Sequence, residues 1–380
     1  MSKKAKILIG VPLCIIVILL AVVWILWSGE IRTILTIRQV GDNPYLYYME
    51  YKASYDLDEV IAKDIDENAE LLDYIVARIG KGLPIKAKSS QVADENGEVQ
   101  TLNCTSFQAR NCKGGFLYGR NYDYFANPTL ITVSRPAKGY ASIAASDMSH
   151  FGYSLDELPT SFKKKLLCLA AIYAPVDGMN EKGLCTSIMA IPHQPSQQNT
   201  PKHDVGTSVI MRLWLDRCAT VGEALQLLDS LDVRHDASVG SGYHYMVADA
   251  AGNCVVVEFD KDDGWKTLTV SKQPEKNYML VTNHLLSPKY YTTEPDPAVG
   301  NPNSRSWWRY ATASEYLDAH DGVLSVDQAL ECLGLVHWDH LDLPNGKVEV
   351  TQYGNVYDQK RLTLRIRPWN QYDKYYDFEL

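Results

Sequence analysis

An uncharged run over residues 7–27 is the first feature of the hydrophobic pattern, and its 21 residues are enough to cross a bilayer of about 30 Å. Lys3, Lys4 and Lys6 precede the run. Because lysines favour the cytoplasmic side, the pattern predicts a single-pass anchor with the rest of the chain outside the cytoplasm. A cleaved signal peptide is the alternative, but its apolar region is usually shorter, about 7–15 residues, and we see no small-residue cleavage site after Trp27.

Beyond this anchor, the apolar positions of residues 56–80 recur at about 3.6-residue spacing and predict a helix that Gly80 and Gly82 end. The polar residues 89–97 predict an exposed loop or hairpin. After residue 100 the pattern changes to short apolar runs bounded by turn residues, which are typical of β-strands. The predicted strands are 101–109, 115–120, 130–134, 183–189, 243–248, 254–259 and 278–282.

Helices are interleaved with strands in the second half of the chain. Thr220 with Glu223, and Ser325 with Gln328, have the spacing of capping boxes that open helices. Strand clusters that are separate from helix pairs favour layered α+β packing over βαβ alternation. The predicted helices are 205–218, 224–231, 304–319 and 329–336, and the predicted loop before the last pair is 295–303.

Composition and charge narrow the classes of function. The 380 residues include 22% charged residues, with a net charge of −9 and no basic tract. We therefore expect no nucleic-acid partner, because phosphate binding needs clustered Lys and Arg. Eight cysteines would permit disulfides outside the cytosol, but we expect Cys104 and Cys112 to be reduced. The other cysteines after the anchor lie in apolar contexts typical of buried small hydrophobes: Cys168, Cys185, Cys218, Cys254 and Cys332.

The segment richest in candidate chemistry begins at Cys104, which opens a predicted strand. Arg120 and Asp123 follow 16 and 19 positions later on the predicted return strand, so a hairpin of this length brings all three together. A thiol near an arginine is favoured as the thiolate, and the aspartate could orient an amine. Two alternatives stay open: Cys104 is a core residue, or residues 119–121 are themselves the hairpin turn.

Several motifs agree with one known group of enzymes. Cys-Thr-Ser-Phe at 104–107 and Gly-Arg-Asn-Tyr-Asp at 119–123 are followed by Asp-Gly-Met-Asn-Glu-Lys-Gly-Leu at 177–184, Thr-Asn-His at 282–284 and Asn-Ser-Arg at 303–305. In this order they resemble the linear amide C–N hydrolases, which include bile salt hydrolases, penicillin V acylases and autoproteolytic acyltransferases. The resemblance implies the four-layer αββα sandwich of N-terminal-nucleophile hydrolases, a form of α+β fold.

The resemblance also implies a role for each matched residue. Cys104 would be the nucleophile, and its freed α-amine, with a reference pKa of about 7.7–8.0, would be the general base. Arg120 and Asp123 would hold and polarise this N-terminus, and Arg305 would complete the polar floor of the site.

An oxyanion hole is implied as well. It would consist of the side-chain amide of Asn283 and the backbone N–H of Ala190. Position 190 departs from the family, since bile salt hydrolases and penicillin V acylases have Asn or Tyr near it. The resemblance therefore leaves the substrate class open.

The proposed amine exists only if the Asn103–Cys104 bond is cut, and precursors of this family cut it themselves. Residues 1–28 would then be the membrane anchor, 29–103 a propeptide-like segment and 104–380 the hydrolase domain. We expect hydrolysis of a linear, non-peptide N-acyl amide through a thioester, without metal or organic cofactor, on the extracytoplasmic side of the cell membrane. The alternatives are an acyltransferase with an amine acceptor and an uncleaved, inactive, membrane-anchored binding protein, and whether the protein is a homo-oligomer stays undecided.

Two further groups are weaker candidates. Asp147, His150 and Tyr153 could line a pocket, but we interpret them as part of a surface loop. His-Trp-Asp-His at 337–340 contains metal-ligand types without a partner cluster at metal-binding spacing, so we predict no metal site there.

Overall fold

The computed structural model describes five ranges of the chain: 3–82, 103–191, 194–291, 302–342 and 348–380. Side chains are described from Cys14 onwards and, in the fourth range, from Arg305. The loop predicted at 89–97 and residues 295–301 of the loop predicted at 295–303 lie outside these ranges.

The α-helices include each one predicted for the second half of the chain. In the box predicted before the last helix, Ser325 Oγ accepts from the N–H of Gln328 at 3.2 Å, and Gln328 Oε1 accepts from the N–H of Ser325 at 2.9 Å. The described helices are α1 (Lys3–Thr36), α2 (Leu57–Ala62), α3 (Asn68–Gly80), α4 (Val209–Arg217), α5 (Val221–Leu228), α6 (Pro302–Ala319) and α7 (Val326–Leu335). Short 3-10 helices are Met148–Phe151, Leu166–Tyr173, Ala237–Val239 and Trp369–Gln371.

The helix predicted at 56–80 is wrong as a single element, because α2 and α3 are separate. Asp64 adopts a left-handed φ of 52°, which a right-handed helix cannot contain. The N–H of Ile65 instead bonds to the carbonyl of Val60 at 3.3 Å. Apolar spacing carries across this turn, so periodicity alone does not detect the break.

The described strands form two large sheets and one small parallel pair. The first nine are β1 (Arg38–Val40), β2 (Asn43–Tyr51), β3 (Asn103–Asn111), β4 (Phe116–Phe125), β5 (Thr129–Ser134), β6 (Ser142–Asp147), β7 (Asp177–Asn180), β8 (Cys185–Ile191) and β9 (His203–Gly206). The next five are β10 (Leu231–Arg234), β11 (Gly242–Ala248), β12 (Cys254–Asp260), β13 (Lys266–Ser271) and β14 (Tyr278–Val281). The last five are β15 (Val323–Leu324), β16 (Leu341–Asp342), β17 (Val348–Asp358), β18 (Thr363–Pro368) and β19 (Tyr376–Glu379).

Sheet order shows how the segment upstream of Cys104 enters the fold. Among the described strands, the nine-stranded sheet has the order β1-β2-β5-β6-β7-β8-β11-β12-β13, and the eight-stranded sheet is built on β14-β3-β4-β17-β18-β19. Strand β2 pairs in parallel with β5, and its Leu46 and Met49 are fully buried. Residues 43–51 are therefore a structural strand of the first sheet.

The two sheets pack face to face, with helices on their outer sides. Polar contacts cross between the sheets, as Ser106 Oγ lies 2.9 Å from Ser187 Oγ. Asn121 Nδ2 donates to the carbonyl of Leu333 in α7 at 2.8 Å on one outer side, and Asn180 Nδ2 donates to the carbonyl of Leu215 in α4 at 3.1 Å on the other. The four-layer αββα arrangement predicted from the resemblance is confirmed.

Helix α1 joins the apolar N-terminal run to this domain without a break. Its segment Cys14–Thr36 is long and apolar enough to cross a membrane, with a mean hydropathy of 2.5. The residues from Ile15 to Leu26 are exposed, whereas Thr33 and Ile34 are buried against the domain. The last turns of α1 are therefore packed against the domain, and the exposed apolar part of the helix comes before them in the chain.

Candidate active site

The β3–β4 hairpin brings the three candidates of the first motif together. Cys104 lies opposite Tyr122, Asn103 opposite Asp123, and Ser106 opposite Arg120. The hairpin therefore brings the three residues close together, with Cys104 and Arg120 on one face and Asp123 on the other. The alternative that residues 119–121 form the hairpin turn is wrong, because they lie in the middle of β4.

Side chains alternate along these strands, so the hairpin has two functional faces. Cys104, Ser106 and Arg120 point between the two sheets. Asn103 and Asp123 point outward, towards helix α6. All of these side chains are almost fully buried, Cys104 at 1% exposure. We call the two sides the inter-sheet face and the helix face.

An arginine that the sequence analysis did not single out occupies the helix face. Arg309 of α6 is fully buried, and its Nη1 donates to the carbonyl oxygen of Cys104. Its Nη2 donates to Asn103 Oδ1 at 3.1 Å and to Asn283 Oδ1 at 2.8 Å. The same guanidinium lies 3.9 Å from Asp123 Oδ2. One cation therefore touches both residues of the Asn103–Cys104 peptide.

Arg305, the arginine predicted for the polar floor, is linked to Asn103 through Glu349. Its Nη1 is 3.5 Å from Glu349 Oε2. Glu349 Oε1 in turn accepts from Asn103 Nδ2 at 2.5 Å. Arg305 and Arg309 are four residues apart on one helix face, which is the signal that could have found the second arginine. Glu349 belongs to no motif and could be found only from the fold.

Asn283 and Ala190, the two predicted oxyanion partners, are in direct contact. Asn283 Nδ2 donates to the carbonyl of Ala190 at 2.6 Å. Its Oδ1 accepts from the backbone N–H of Cys104 at 2.5 Å. Ser306 Oγ accepts from the N–H of Asn283 at 2.8 Å and fixes the backbone beneath it. In the uncut chain, Asn283 therefore accepts a hydrogen bond from the nitrogen that cleavage would turn into an amine.

Arg120 is held on the inter-sheet face by groups from the opposite sheet. Its Nη2 donates to the carbonyl of Ile188 at 2.6 Å, and its Nε lies 3.9 Å from Asp177 Oδ2. Asp177 also accepts from Tyr353 Oη at 2.6 Å and from Asn355 Nδ2 at 2.9 Å. The carboxylate that opens the 177–184 motif thus positions Arg120.

Burial is the largest influence on the pKa values of Cys104, Asp123 and Glu349. It raises the pKa of the Cys104 thiol, with Arg120 and Arg309 opposing the shift. A thiolate favoured by Arg120 was the expectation, but the cost of removing a charge from water exceeds the attraction of the arginine. Burial also raises the pKa of Asp123 to about 6 and that of Glu349 to about 7. Both carboxyls therefore titrate near neutral pH.

A largely apolar cavity opens beside the inter-sheet face. Its inner end is formed by Tyr122, Ile188 and Ala190, which are the strand partner of Cys104 and the acceptors of Arg120 and Asn283. None of the described lining residues is Asp, Glu, Lys or Arg. The site therefore combines buried charged residues around Cys104 with an adjoining cavity that has no Asp, Glu, Lys or Arg among its described lining residues.

The interpretation of Asp147, His150 and Tyr153 as a surface loop is wrong. Asp147 is fully buried and accepts from Gln352 Nε2 at 2.9 Å. Tyr153 is 7% exposed, and His150 lines the cavity. A short 3-10 helix after β6 folds these residues back onto the sheet, which the polar sequence does not indicate.

The cysteines form no disulfides, and the two histidines of the 337–340 motif pair with separate aspartates. All eight cysteines are unpaired in the structure, and the five predicted to be buried are buried. His337 pairs with Asp339 and His340 pairs with Asp342, both at 2.9 Å, as separate contacts near the surface.

Comparisons with known proteins concern the fold and part of the chain. Residues 165–337 match the family model described as acyl-coenzyme A:6-aminopenicillanic acid acyl-transferase. The fold is that of N-terminal-nucleophile hydrolases. No curated protein sequence matches the chain.

Solved structures supply the likeness of fold. A mutant of conjugated bile acid hydrolase from Clostridium perfringens is 15% identical, with a TM-score of 0.53 over 73% of this chain and 92% of that one. A second variant of the same hydrolase is 16% identical, with a TM-score of 0.54 over the same shares. Penicillin V acylase from Agrobacterium tumefaciens is 17% identical, with a TM-score of 0.47 over 70% of this chain and 83% of that one. The predicted resemblance is confirmed at the level of the fold.

Proposed function

We propose that the chain is a self-cleaving amide hydrolase whose nucleophile is Cys104, exposed as a new N-terminus when the Asn103–Cys104 bond is cut. The observation that carries this proposal is the convergence of buried polar groups on residues Asn103 and Cys104, on either side of that bond. Arg309 donates to the side chain of Asn103 and to the carbonyl of Cys104, while Asn283 Oδ1 accepts from the Cys104 N–H. Apolar residues could fill the same space at a lower desolvation cost. The presence of buried polar groups instead indicates a role other than packing.

Cleavage would proceed by an N→S acyl shift. The Cys104 sulfur attacks the carbonyl carbon of Asn103, an S–C bond forms, and the C–N bond breaks as the nitrogen takes up a proton. Water then hydrolyses the thioester, which leaves a carboxylate on Asn103 and a free thiol and amine on Cys104. Arg309, which bonds to the Asn103 side chain and to the Cys104 carbonyl, would contribute positive potential near the Asn103 carbonyl oxygen on which negative charge develops.

The same groups would serve substrate turnover. The Cys104 amine, which Asn283 Oδ1 is placed to orient, removes the thiol proton, and the thiol attacks the substrate carbonyl to form a thioester. Arg120 and Asp123 support the new N-terminus from the two faces of the hairpin. Asn283 Nδ2, whose amide group has two N–H donors, would donate one of them to the substrate oxyanion.

We further propose that α1 anchors the enzyme in the cell membrane with the domain on the extracytoplasmic side. The exposed apolar residues Ile15 to Leu26 support the anchor. Lys3, Lys4 and Lys6 support the orientation.

Intact mass and N-terminal sequencing of the purified protein test the proposal. Wild-type protein should yield a fragment that begins at Cys104, and Cys104→Ala should stay full length. A wild-type chain that stays whole after prolonged incubation contradicts the amine-as-base mechanism.

Acyl transfer is a second candidate, and the match of residues 165–337 to an acyl-transferase model favours it. Both reactions share the thioester, so they differ only in whether water or an amine accepts the acyl group. Cleaved enzyme given an N-acyl amide and a second amine would form a new amide if transfer is the activity, and only the free acid if hydrolysis is.

A further inference from the structure

We infer that His244 and Glu258, two buried residues that belong to none of the motifs, are positioning residues for Asn283. They hold the backbone on both sides of Asn283, so that its side-chain amide meets the Cys104 nitrogen and the reacting carbonyl in the right orientation. This inference rests on the proposed function and adds to it the residues that fix the geometry of the polar site.

The first observation is the place of this pair in the fold. His244 lies on β11 and Glu258 on β12, which are neighbours in the nine-stranded sheet. Both side chains are fully buried, and His244 Nδ1 lies 3.4 Å from Glu258 Oε1. Asn283 instead follows β14, a strand of the eight-stranded sheet. The pair therefore belongs to one sheet, and the residue that it would position belongs to the other.

The second observation is where the pair bonds to the segment after β14. His244 Nε2 donates to the carbonyl of Thr282 at 2.8 Å. Glu258 Oε1 accepts from the N–H of Leu286 at 2.7 Å, and Glu258 Oε2 accepts from the N–H of Ser287 at 2.9 Å. One buried pair therefore fastens this segment both before and after its proposed catalytic asparagine.

The third observation is that the hydrogen bonds assign charges to the pair. A carbonyl oxygen only accepts, so His244 Nε2 carries a hydrogen, while Nδ1 of the same ring faces a carboxyl oxygen. Burial alone would raise the pKa of Glu258, but the bonds from His244 and from the two backbone N–H groups lower it below its usual value. Glu258 is therefore a carboxylate, and hydrogens on both ring nitrogens make His244 its matching cation.

The fourth observation is that the two sheets form without this pair. Strand β11 pairs with β8 and β12, and β14 pairs with β3, through backbone bonds. A buried ion pair adds little stability over apolar residues of the same volume. What the pair adds is a link between the sheets at the segment that contains Asn283. Because a misplacement of about 1 Å near the reacting atoms can cost about a hundredfold in rate, this link should be visible in catalysis.

A paired substitution tests the inference in the full chain, purified in detergent. His244→Leu combined with Glu258→Gln removes both charges together, so no buried charge is left alone and the chain should still fold. Self-cleavage of this double variant, followed by intact mass, should be about tenfold slower or more. Once cleavage is complete, kcat for an N-acyl aminomethylcoumarin, which releases a fluorescent amine, should be about a hundredfold below wild type. KM should stay within about twofold, because neither residue is among the described lining residues of the cavity.

Rescue and control variants separate positioning from packing. His244→Leu alone should lower kcat about a hundredfold, whereas His244→Gln, whose amide can still donate to the Thr282 carbonyl, should stay within about tenfold of wild type. His235→Leu is the matched control, because His235 is also buried in this part of the fold but its described bonds go to Ser196 and Tyr245. It should leave kcat within about twofold, even where urea unfolding shows a loss of stability.

Several outcomes would overturn this inference alone. They are wild-type cleavage and kcat in the double variant, a rise in KM in place of a fall in kcat, and an equal fall of kcat in His235→Leu. Equal losses in His244→Gln and His244→Leu would also do so, and a double variant that does not fold would assign the pair to packing. A wild-type chain that stays uncleaved would overturn the proposed function, and the inference with it.

Discussion

The inter-sheet face and the helix face of the β3–β4 hairpin come from the same two strands, yet they carry different chemistry. On the inter-sheet face, Cys104 and Arg120 adjoin an uncharged cavity. On the helix face, Asn103 and Asp123 meet a buried arginine and a second carboxyl, Glu349. Because strand side chains alternate, a single residue step separates the thiol from the groups that hold the bond in front of it.

This difference separates two requirements that a self-cleaving enzyme must meet. The helix face grips the uncut peptide, so changes there should alter cleavage and all substrates alike. The cavity beside the inter-sheet face contains, among its described lining residues, none of the groups that contact Asn103, so changes there should leave cleavage intact. The predictions below test this division on the hairpin and on the helix face, from the largest expected effect to the smallest.

The largest effect is expected at the centre of the hairpin. Cys104→Ala should remove self-cleavage and lower kcat/KM by about 10³-fold or more for every acyl chain, since no other group supplies the nucleophile. Cys112→Ala is the control, because that thiol is exposed and lies beyond β3. Equal losses in both variants would show that general instability, rather than chemistry, causes the effect. Turnover of amide substrates and intact mass are the measurements.

The two arginines of α6 provide the next comparison. In the uncleaved Cys104→Ala background, Arg309→Met should lower the free energy of unfolding by about 3–5 kcal/mol, because it leaves Asp123 buried without its nearest cation. Arg305→Met should cost about 1 kcal/mol, because Arg305 is partly exposed and its partner Glu349 is half protonated near neutral pH.

Urea unfolding in detergent, followed by tryptophan fluorescence, measures both. The same pair in the otherwise wild-type chain should differ in the rate of self-cleavage. A larger effect of Arg305→Met on both readouts would restore Arg305 as the arginine of the site.

The carboxyls of the helix face predict a pH dependence. Glu349 has its pKa raised from 4.5 to about 7, so the folded precursor binds more protons than the unfolded chain between these values. Its contribution to stability is complete below pH 4.5 and is lost as the pH rises through about 7. In the Cys104→Ala background, Glu349→Gln should reduce the fall in stability from acidic to neutral pH by roughly 3 kcal/mol.

Glu275→Gln is the control for this prediction, since Glu275 is exposed. Unfolding curves at a series of pH values provide the measurement. A stability that rises with pH in the same window, and that Glu349→Gln leaves unchanged, would contradict the raised pKa.

The smallest effect is expected at Ser306, whose hydroxyl bonds to the backbone N–H of Asn283. Ser306→Ala removes the acceptor of the Asn283 N–H and a contact with His284 Nδ1 at 2.8 Å. We expect kcat to fall about tenfold, the cost of one or two buried hydrogen bonds, with KM nearly unchanged because the cavity is not touched. Ser314→Ala, on the same helix but bonded to Tyr278, is the matched control. If KM rises instead of kcat falling, Ser306 acts on substrate binding.

Local sequence was sufficient for the elements that have short-range signals. The strands around residues 104–123 follow from short apolar runs bounded by turn residues, and the start of α7 follows from the capping box at Ser325. The apolar spacing of 56–80 located helical structure but not the turn at Asp64, since a left-handed residue leaves the period intact.

The candidate site divides in the same way. Cys104, Arg120 and Asp123 share one hairpin, so their spacing predicts that they lie on neighbouring strands. Arg309 and Glu349 come from α6 and β17, and no spacing relates them to Cys104 because the chain between them folds over long distances. The order of the motifs at 104–123, 177–184 and 282–284 indicated the fold through resemblance.

Sequence by itself determined the anchor-like helix, the hairpin, and the candidate nucleophile with the arginine and aspartate on the neighbouring strand of that hairpin. These depend on hydrophobic periodicity and on neighbours within about 20 positions. Tertiary structure alone decided which arginine of α6 contacts Asn103 and Cys104, that burial raises rather than lowers the pKa of the Cys104 thiol, and that α3 lines the cavity. The physical reason is that desolvation and contact depend on what surrounds a group in three dimensions, and those surroundings come from segments far apart in the chain.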